Sequence, residues 1–360
     1  MARIDLMDLA HAYKPNPASP SDYALQPMTM QWDDGGAYAL LGPSGCGKTT
    51  LLNIISGLVR PSHGRVLFDG VDVTDLPPEQ RNIAQVFQFP VIYDTMTVYD
   101  NLAFPLRNRG WKPADIRKRV EQIAAMLELS ADLRHRASGL AVDAKQKISL
   151  GRGLVRPDVA AVLFDEPLTV IDPHLKWLLR RKLKEIHHEL KLSLIYVTHD
   201  QVEALTFADK VVVMTQGEVV QEGSAQELFE EPAHTFVGYF IGNPGMNLIP
   251  CTVKDGMVQI AGGSVALSAR AAAALQGQGQ ATLGIRPEYI EVASAGEAGA
   301  IEASVISVRN LGTHYLAEFM VGGRPVSAKL RQVAAIAGAS AWLRLPAAHT
   351  LYYVNDKRVA

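Results

Sequence analysis

Residues 42 to 49 read Gly-Pro-Ser-Gly-Cys-Gly-Lys-Thr, the pattern G-x-x-x-x-G-K-[ST], with the apolar run AYALL before it and the helix-forming TLLNIISGL after it. A strand, a glycine-rich loop and a helix in that order form a cradle for phosphate. Gly42, Gly45 and Gly47, interleaved with Pro43, Ser44 and Cys46, let backbone N–H groups converge on an anion. The helix N-terminus adds its partial positive charge, Lys48 reaches terminal phosphates, Thr49 offers a hydroxyl to Mg²⁺, and Thr50 closes the loop. A chain built around this loop must bring strand ends and a helix start to one ligand, which calls for an α/β fold.

The rest of the first 230 residues agrees. Apolar β-type runs AYALL (37–41), RVLFDG (65–70), IAQVF (83–87), VAAVLF (159–164), SLIYVT (193–198) and KVVVM (210–214) alternate with segments of helical period. That is the pattern of a parallel sheet covered by helices. Helices are expected over 48–58, 113–129, 144–156 and from Pro173 to about Lys191, and the stretch 90–156 reads as an inserted helical subdomain. Beyond about residue 233 short β-type runs, among them ATLGIRPEYIEV, ASVISVRNLG and YLAEFMVGGRPVSAKL, are separated by Gly- and Ala-rich connections, the texture of a small all-β domain. The expected division is 1–235 and 236–360, with Thr235 to Val253 a loop-rich connection and 269–281 and 334–341 short helices or loops. A chain of 360 residues is too long for one ordinary core.

Composition removes several function classes. Net charge is -2, so no basic field invites nucleic acid or anionic lipid. The two cysteines, Cys46 and Cys251, support neither a disulfide framework nor a zinc site. The opening MARIDLMDLAHAY has no apolar run and is not a signal peptide, and no segment is expected to span a membrane.

Three further strand ends carry chemistry. Val162-Leu-Phe-Asp165-Glu166-Pro167 ends an apolar strand in two carboxylates. Asp165 is placed to hold Mg²⁺, and Glu166 to orient and deprotonate an attacking water. Their plain alternative is a turn with solvated acids. Thr198-His199-Asp200 puts an imidazole at a strand end, where it would contact the γ-phosphate; the plain alternative makes Asp200 the N-cap of QVEALTFAD and His199 its neighbour. Gln88, ending IAQVFQ, is a candidate ligand of Mg²⁺ and the attacking water, or else a solvent-facing amide. Tyr13 is either an adenine-stacking ring or a core aromatic of an N-terminal strand. Asp172 before Pro173 is a good helix N-cap, and Arg180, Arg181, Lys182 and Lys184 read as the solvated face opposite an apolar stripe.

GPSGCGKTT, VFQ, LFDEP, TVID and THD, in this order and spacing, closely resemble the nucleotide-binding subunits of ABC transporters over roughly residues 1–240. The remainder, with FIGNPGMN and LGIRPEYIEV, resembles the β-rich regulatory domain of maltose-type carbohydrate and polyol importers, and QFPVIYDTMTVYDNLAFPLRNRG and LTVIDPH resemble bacterial glycerol importers. The resemblance implies a P-loop NTPase fold of the ABC type with a helical subdomain, followed by an OB-like (TOBE) all-β domain. It implies ATP and Mg²⁺, with Thr49, Gln88 and Asp165 at the metal, Glu166 as catalytic glutamate, His199 as switch histidine, Asp172 on the loop crossing a dimer interface, and Tyr13 on adenine. It also implies two permease subunits and a periplasmic solute-binding protein as partners, at the cytoplasmic face of the bacterial inner membrane. A homodimeric importer ATPase for another solute, an ABC ATPase acting on nucleic acid, and a regulatory module are the alternatives.

One departure matters. Where the family carries LSGGQ, ungapped counting back from LFDEP gives Leu140-Ala141-Val142-Asp143-Ala144. The serine and both glycines are gone, and Asp143 brings a carboxylate toward a polyanion. A gapped alternative takes Ser138-Gly139 as the remnant. In this family each signature clamps the nucleotide of the opposite subunit, so the expectation is a non-identical second ATPase subunit and an asymmetric pair.

Overall fold

The computed structural model describes residues 2–254, 257–261, 263–267, 269–333 and 339–359. The chain divides into two compact units, Met1–Ala225 and Gln226–Ala360.

In the first unit the strands are β1 (Ile4–His11), β2 (Leu25–Trp32), β3 (Ala37–Leu41), β4 (His63–Phe68), β5 (Val71–Asp72), β6 (Ala84–Val86), β7 (Val162–Asp165), β8 (Leu194–Thr198), β9 (Lys210–Thr215) and β10 (Glu218–Gly223). The helices are α1 (Lys48–Ser56), α2 (Val98–Arg107), α3 (Pro113–Met126), α4 (Val142–Leu154), α5 (Pro173–Leu190) and α6 (Gln201–Phe207). One sheet runs in the order β10-β9-β3-β8-β7-β6 and is parallel except where β10 returns against β9. Every residue of β3 and β8 is buried, as a parallel strand covered on both faces requires. Alternate residues go to different cores. Val162, Phe164, Leu194 and Tyr196 pack with the helical side, while Leu163, Ile195 and Val197 pack with α1 and a second sheet.

That second sheet, β2-β1-β4-β5, is antiparallel. It corrects the expectation that RVLFDG belongs to the parallel series. β4 pairs with β1, Ile4 opposite Phe68, and turns back at once through Asp69 and Gly70, both with positive φ. Its partner is an N-terminal strand whose mixed pattern, IDLMDLAH, shows no clean period. The helical insertion between β6 and β7 is present as α2, α3 and α4. The Gln88 strand is shorter than expected and ends at Val86.

The second unit carries α8 (Thr235–Phe240), a short α9 (Ala269–Ala274) and two antiparallel sheets, while α7 (Ala225–Glu230) spans the division. One sheet orders β11 (Asn247–Lys254), β12 (Met257–Ile260), β13 (Gly263–Ala266), β14 (Gln280–Ile285), β20 (Thr350–Val354) and β21 (Lys357–Arg358) as β13-β12-β11-β14-β20-β21. The other orders β15 (Glu291–Ala293), β16 (Ala300–Asn310), β17 (Tyr315–Val321), β18 (Arg324–Leu330) and β19 (Ser340–Arg344) as β15-β19-β16-β17-β18. Inward residues of both, including Ile249, Leu283, Phe319 and Tyr352, share one core. Thr235 to Val253 is therefore not loop-rich: it holds α8 and most of β11. YLAEFMVGGRPVSAKL is a hairpin rather than one run, because Gly322 and Gly323 both take positive φ, the geometry of a two-residue turn. Of the Ala/Gly-rich expectations, 269–281 contains α9 and the start of β14; residues 334–338 lie outside the described residues.

Candidate nucleotide site

The site is built on the carboxyl ends of parallel strands, where an open α/β sheet leaves its crevice. β3 runs into the phosphate loop, and the loop into α1. Gly47 takes φ 102°, and a Cβ there would meet the Ala24 carbonyl oxygen at 2.4 Å, so only glycine fits. Lys48 is 5% exposed, and its Nζ donates to the carbonyls of Gly42 at 2.8 Å and Pro43 at 3.0 Å, inside its own loop. The N–H groups of the first turn of α1 lack intrahelical partners and carry the positive end of the helix dipole.

β7 delivers Asp165 and Glu166. The hydroxyl of Thr49 donates to Asp165 Oδ1 at 3.2 Å, joining α1 to β7 across the crevice. Burial pushes the Asp165 carboxyl above the ordinary carboxylate range, against the Thr49 hydrogen bond and Lys48, and the neighbouring Glu166 charge pushes the same way. A desolvated carboxylate beside a hydroxyl is a pair of hard oxygen donors suited to a cation. Among the described residues no group of three or more His, Cys, Asp or Glu converges.

Glu166 sits at φ 47°, a left-handed conformation that a non-glycine residue rarely holds without a local reason. Its N–H donates to the Val197 carbonyl at 3.0 Å, tying it to β8. Its Oε2 lies 3.1 Å from His199 Nδ1 and accepts from Thr169 Oγ1 at 3.3 Å. Thr169 is a site neighbour that motif reading passed over; its spacing of three from Glu166 was the available signal.

Asp200 caps α6 by accepting from the N–H groups of Val202 and Glu203, so the plain reading of Asp200 holds alongside the placement of His199. Asp172 caps α5, accepting from His174 N–H at 2.9 Å. Tyr13 is no core aromatic: it is 67% exposed, its hydroxyl 3.2 Å from Thr50 Oγ1 and its ring edge-on to His11 at 4.6 Å. Gln88 stands two residues past β6, with no hydrogen bond to another candidate residue among the described residues.

The segment Leu140 to Ala144 leads into α4. Ala141 is the N-cap of that helix and supplies no side-chain bond, and Val142 is its first residue. Alanine at an N-cap costs about 1 kcal/mol relative to serine. Asp143, in the first turn, offsets part of that by facing the helix dipole. Ser138 and Gly139 lie in the preceding 3₁₀ turn, Ala137–Gly139.

Residues 25–169 match the ABC transporter family, residues 242–290 the MalK OB fold domain and residues 283–352 the TOBE domain. The sn-glycerol-3-phosphate import ATP-binding protein UgpC of Pectobacterium atrosepticum is 40% identical over 324 residues, 89% of this chain and 90% of that one. The protein of the same name from Yersinia pestis is 38% identical over 338 residues, 92% and 94% of the two chains. Among solved structures, a subunit of the ABC transporter complex cbiONQ from Clostridium perfringens aligns with TM-score 0.58 at 27% identity, over 63% of this chain and 90% of that one. A dimeric post-hydrolysis ATP-binding cassette bound to ADP and Pi aligns with TM-score 0.53 at 27% identity, over 61% and 98%. No helix among the described residues is long and apolar enough to cross a membrane. A strand-end phosphate cradle, two carboxylates behind it and a cassette followed by OB-fold and TOBE domains converge on one answer: this chain belongs to the ATP-binding subunits of ABC importers of the UgpC type, ATPases coupled to transport.

Proposed function

We propose that the chain hydrolyses ATP at this crevice to drive uptake of a glycerol-class solute, and that sn-glycerol-3-phosphate is that solute. The observation that carries the reaction is the Thr49–Asp165–Glu166–His199 series of contacts at three neighbouring strand ends. In this reading the loop Gly42 to Thr50 binds the phosphates, Lys48 turns from its loop carbonyls to the terminal phosphates, and Tyr13 stacks on adenine. Thr49 and Asp165, with Gln88, would hold Mg²⁺, which would neutralise charge developing on the phosphoryl oxygens. Glu166 orients the attacking water and takes its proton, and His199, as switch histidine, contacts the γ-phosphate. Residues 1–235 form the ATPase domain and 236–360 the regulatory domain.

The names of the relatives support the phosphorylated solute. Free glycerol, the second reading, rests on the resemblance of residues 88–110 and 168–174 to glycerol importers. Uptake of labelled sn-glycerol-3-phosphate and labelled glycerol by cells lacking this chain separates them: loss of the first alone supports the proposal, and loss of neither overturns both.

The complex in this reading contains two permeases, receives solute from a periplasmic binding protein and holds the chain at the cytoplasmic face of the inner membrane. The dimeric cassette similar to this chain supports a paired ATPase. The uncapped, acid-bearing start of α4 supports a second, non-identical ATPase supplying an intact signature. Chain counting in the purified complex decides: two copies of this chain and no other ATPase would exclude the unlike pair.

A further inference from the structure

Glu203 is a buried carboxylate, its side chain 4% exposed, that none of the roles above uses. Three groups converge on it. Tyr196 and Thr198, both on β8, donate their hydroxyls to its Oε2 at 3.1 and 2.8 Å, and Lys176 of α5 lies with Nζ 3.5 Å from its Oε1. Two of these partners are tied to the candidate site. Thr198 immediately precedes His199 and accepts from the Asp200 N–H at 3.0 Å. Lys176 stands one helical turn after Asp172, and its N–H donates to the Asp172 carbonyl at 2.8 Å. A buried charge of this kind persists only where its partners hold it, and it fixes the elements that carry them.

We infer that Lys176 and Glu203 are positioning residues for hydrolysis: their ion pair joins the start of α5, just after Asp172, to α6, and the Tyr196 and Thr198 hydroxyls on Glu203 carry the link to the end of β8, just before His199. A shift at Asp172 on subunit pairing is thereby delivered to the His199–Glu166 contact. This rests on the proposed roles of Asp172, His199 and Glu166. The geometry suits a rigid strut rather than a ligand site, since both carboxylate oxygens of Glu203 already face protein groups, Tyr196 and Thr198 at Oε2 and Lys176 at Oε1. Lys176, its side chain 24% exposed, is the end that can be altered with least damage to packing.

The test is Mg²⁺-dependent ATP turnover by the assembled transporter, with kcat and KM measured separately and ATP affinity read by equilibrium binding. Lys176→Met is expected to lower kcat about tenfold with KM and ATP affinity unchanged, and Lys176→Arg to restore it. Combining Lys176→Met with Asp172→Ala should be no worse than the more damaging single change, because both break the same link. If Lys176→Met shifts thermal unfolding into the assay range, Lys176→Gln, which keeps part of the stem and a neutral donor, takes its place with the same expected split. Wild-type kcat in the variant, or a loss entirely in KM, overturns the strut. Glu166→Gln serves as the control: if it leaves turnover intact, the underlying site assignment has failed instead.

Discussion

The imidazole Nδ1 of His199 faces the Oε2 of Glu166 at 3.1 Å, and the same oxygen accepts from Thr169, so the carboxylate is aimed by two donors from different elements. Glu166→Gln keeps size and shape but cannot take a proton. ATP binding should persist while phosphate release by the assembled complex drops by about 10²- to 10⁴-fold, the usual worth of a positioned base. Near-normal turnover would remove Glu166 from that role.

Changing Ala141→Ser and Asp143→Gly together should restore both a cap and an uncharged approach at the start of α4. Removing a like charge at about 4 Å from phosphate is worth about 1 kcal/mol in water and more at a closed interface. We therefore expect ATP turnover by the isolated chain to rise at least about fivefold, measured as phosphate release against protein concentration. An unchanged rate would mean that the altered signature does not limit closure.

Arg81 is 2% exposed and donates to four carbonyls, those of Leu76, Thr74, Ile54 and Ile55, the last two at the end of α1. Arg81→Met takes the guanidinium donor from all four carbonyls, of which that of Ile54 keeps the Gly57 N–H at 3.1 Å. The expected loss is about 3 kcal/mol in urea unfolding. A variant as stable as the parent would show that solvent reaches those carbonyls freely.

His187 gives a pH signature. Its Nδ1 lies 2.9 Å from the Leu192 carbonyl and so must donate, and burial pushes its pKa below 6.5, against Asp209 at 3.7 Å and with the help of His188 and Lys184. The unfolded chain then binds a proton more readily than the folded one, so this contribution is intact above about pH 6.5 and is lost as pH falls below it. Unfolding free energy between pH 7 and 5 should decline less steeply in His187→Asn, which keeps a donor toward Leu192. Parallel slopes would assign the pH dependence elsewhere.

The parts legible in the sequence are those whose chemistry is local. Gly42 to Thr49 announces a loop whose backbone must bend, and AYALL, LIYVT and KVVVM announce strands with no solvent face. What was not legible depends on pairing at a distance. Nothing in RVLFDG says that it will hydrogen-bond to residues 4–10 rather than join the central sheet, and the exposure of Tyr13 follows from the path of the chain after β1. Thr235 to Val253 misled for a different reason: glycines and prolines there punctuate a helix and a strand instead of replacing them. Glu203 was hidden because a carboxylate in a helix reads as solvated until its neighbours on β8 and α5 are placed.

The self-bonded lysine of the phosphate loop sets an entry threshold. Lys48 already satisfies the carbonyls of Gly42 and Pro43, so an incoming anion must out-compete two hydrogen bonds before it gains the ammonium. A weak or singly charged anion gains too little from that exchange, whereas a polyphosphate that also engages the α1 N-terminus repays it several times over. The exchange is expected to favour ligands of high charge density over singly charged ones.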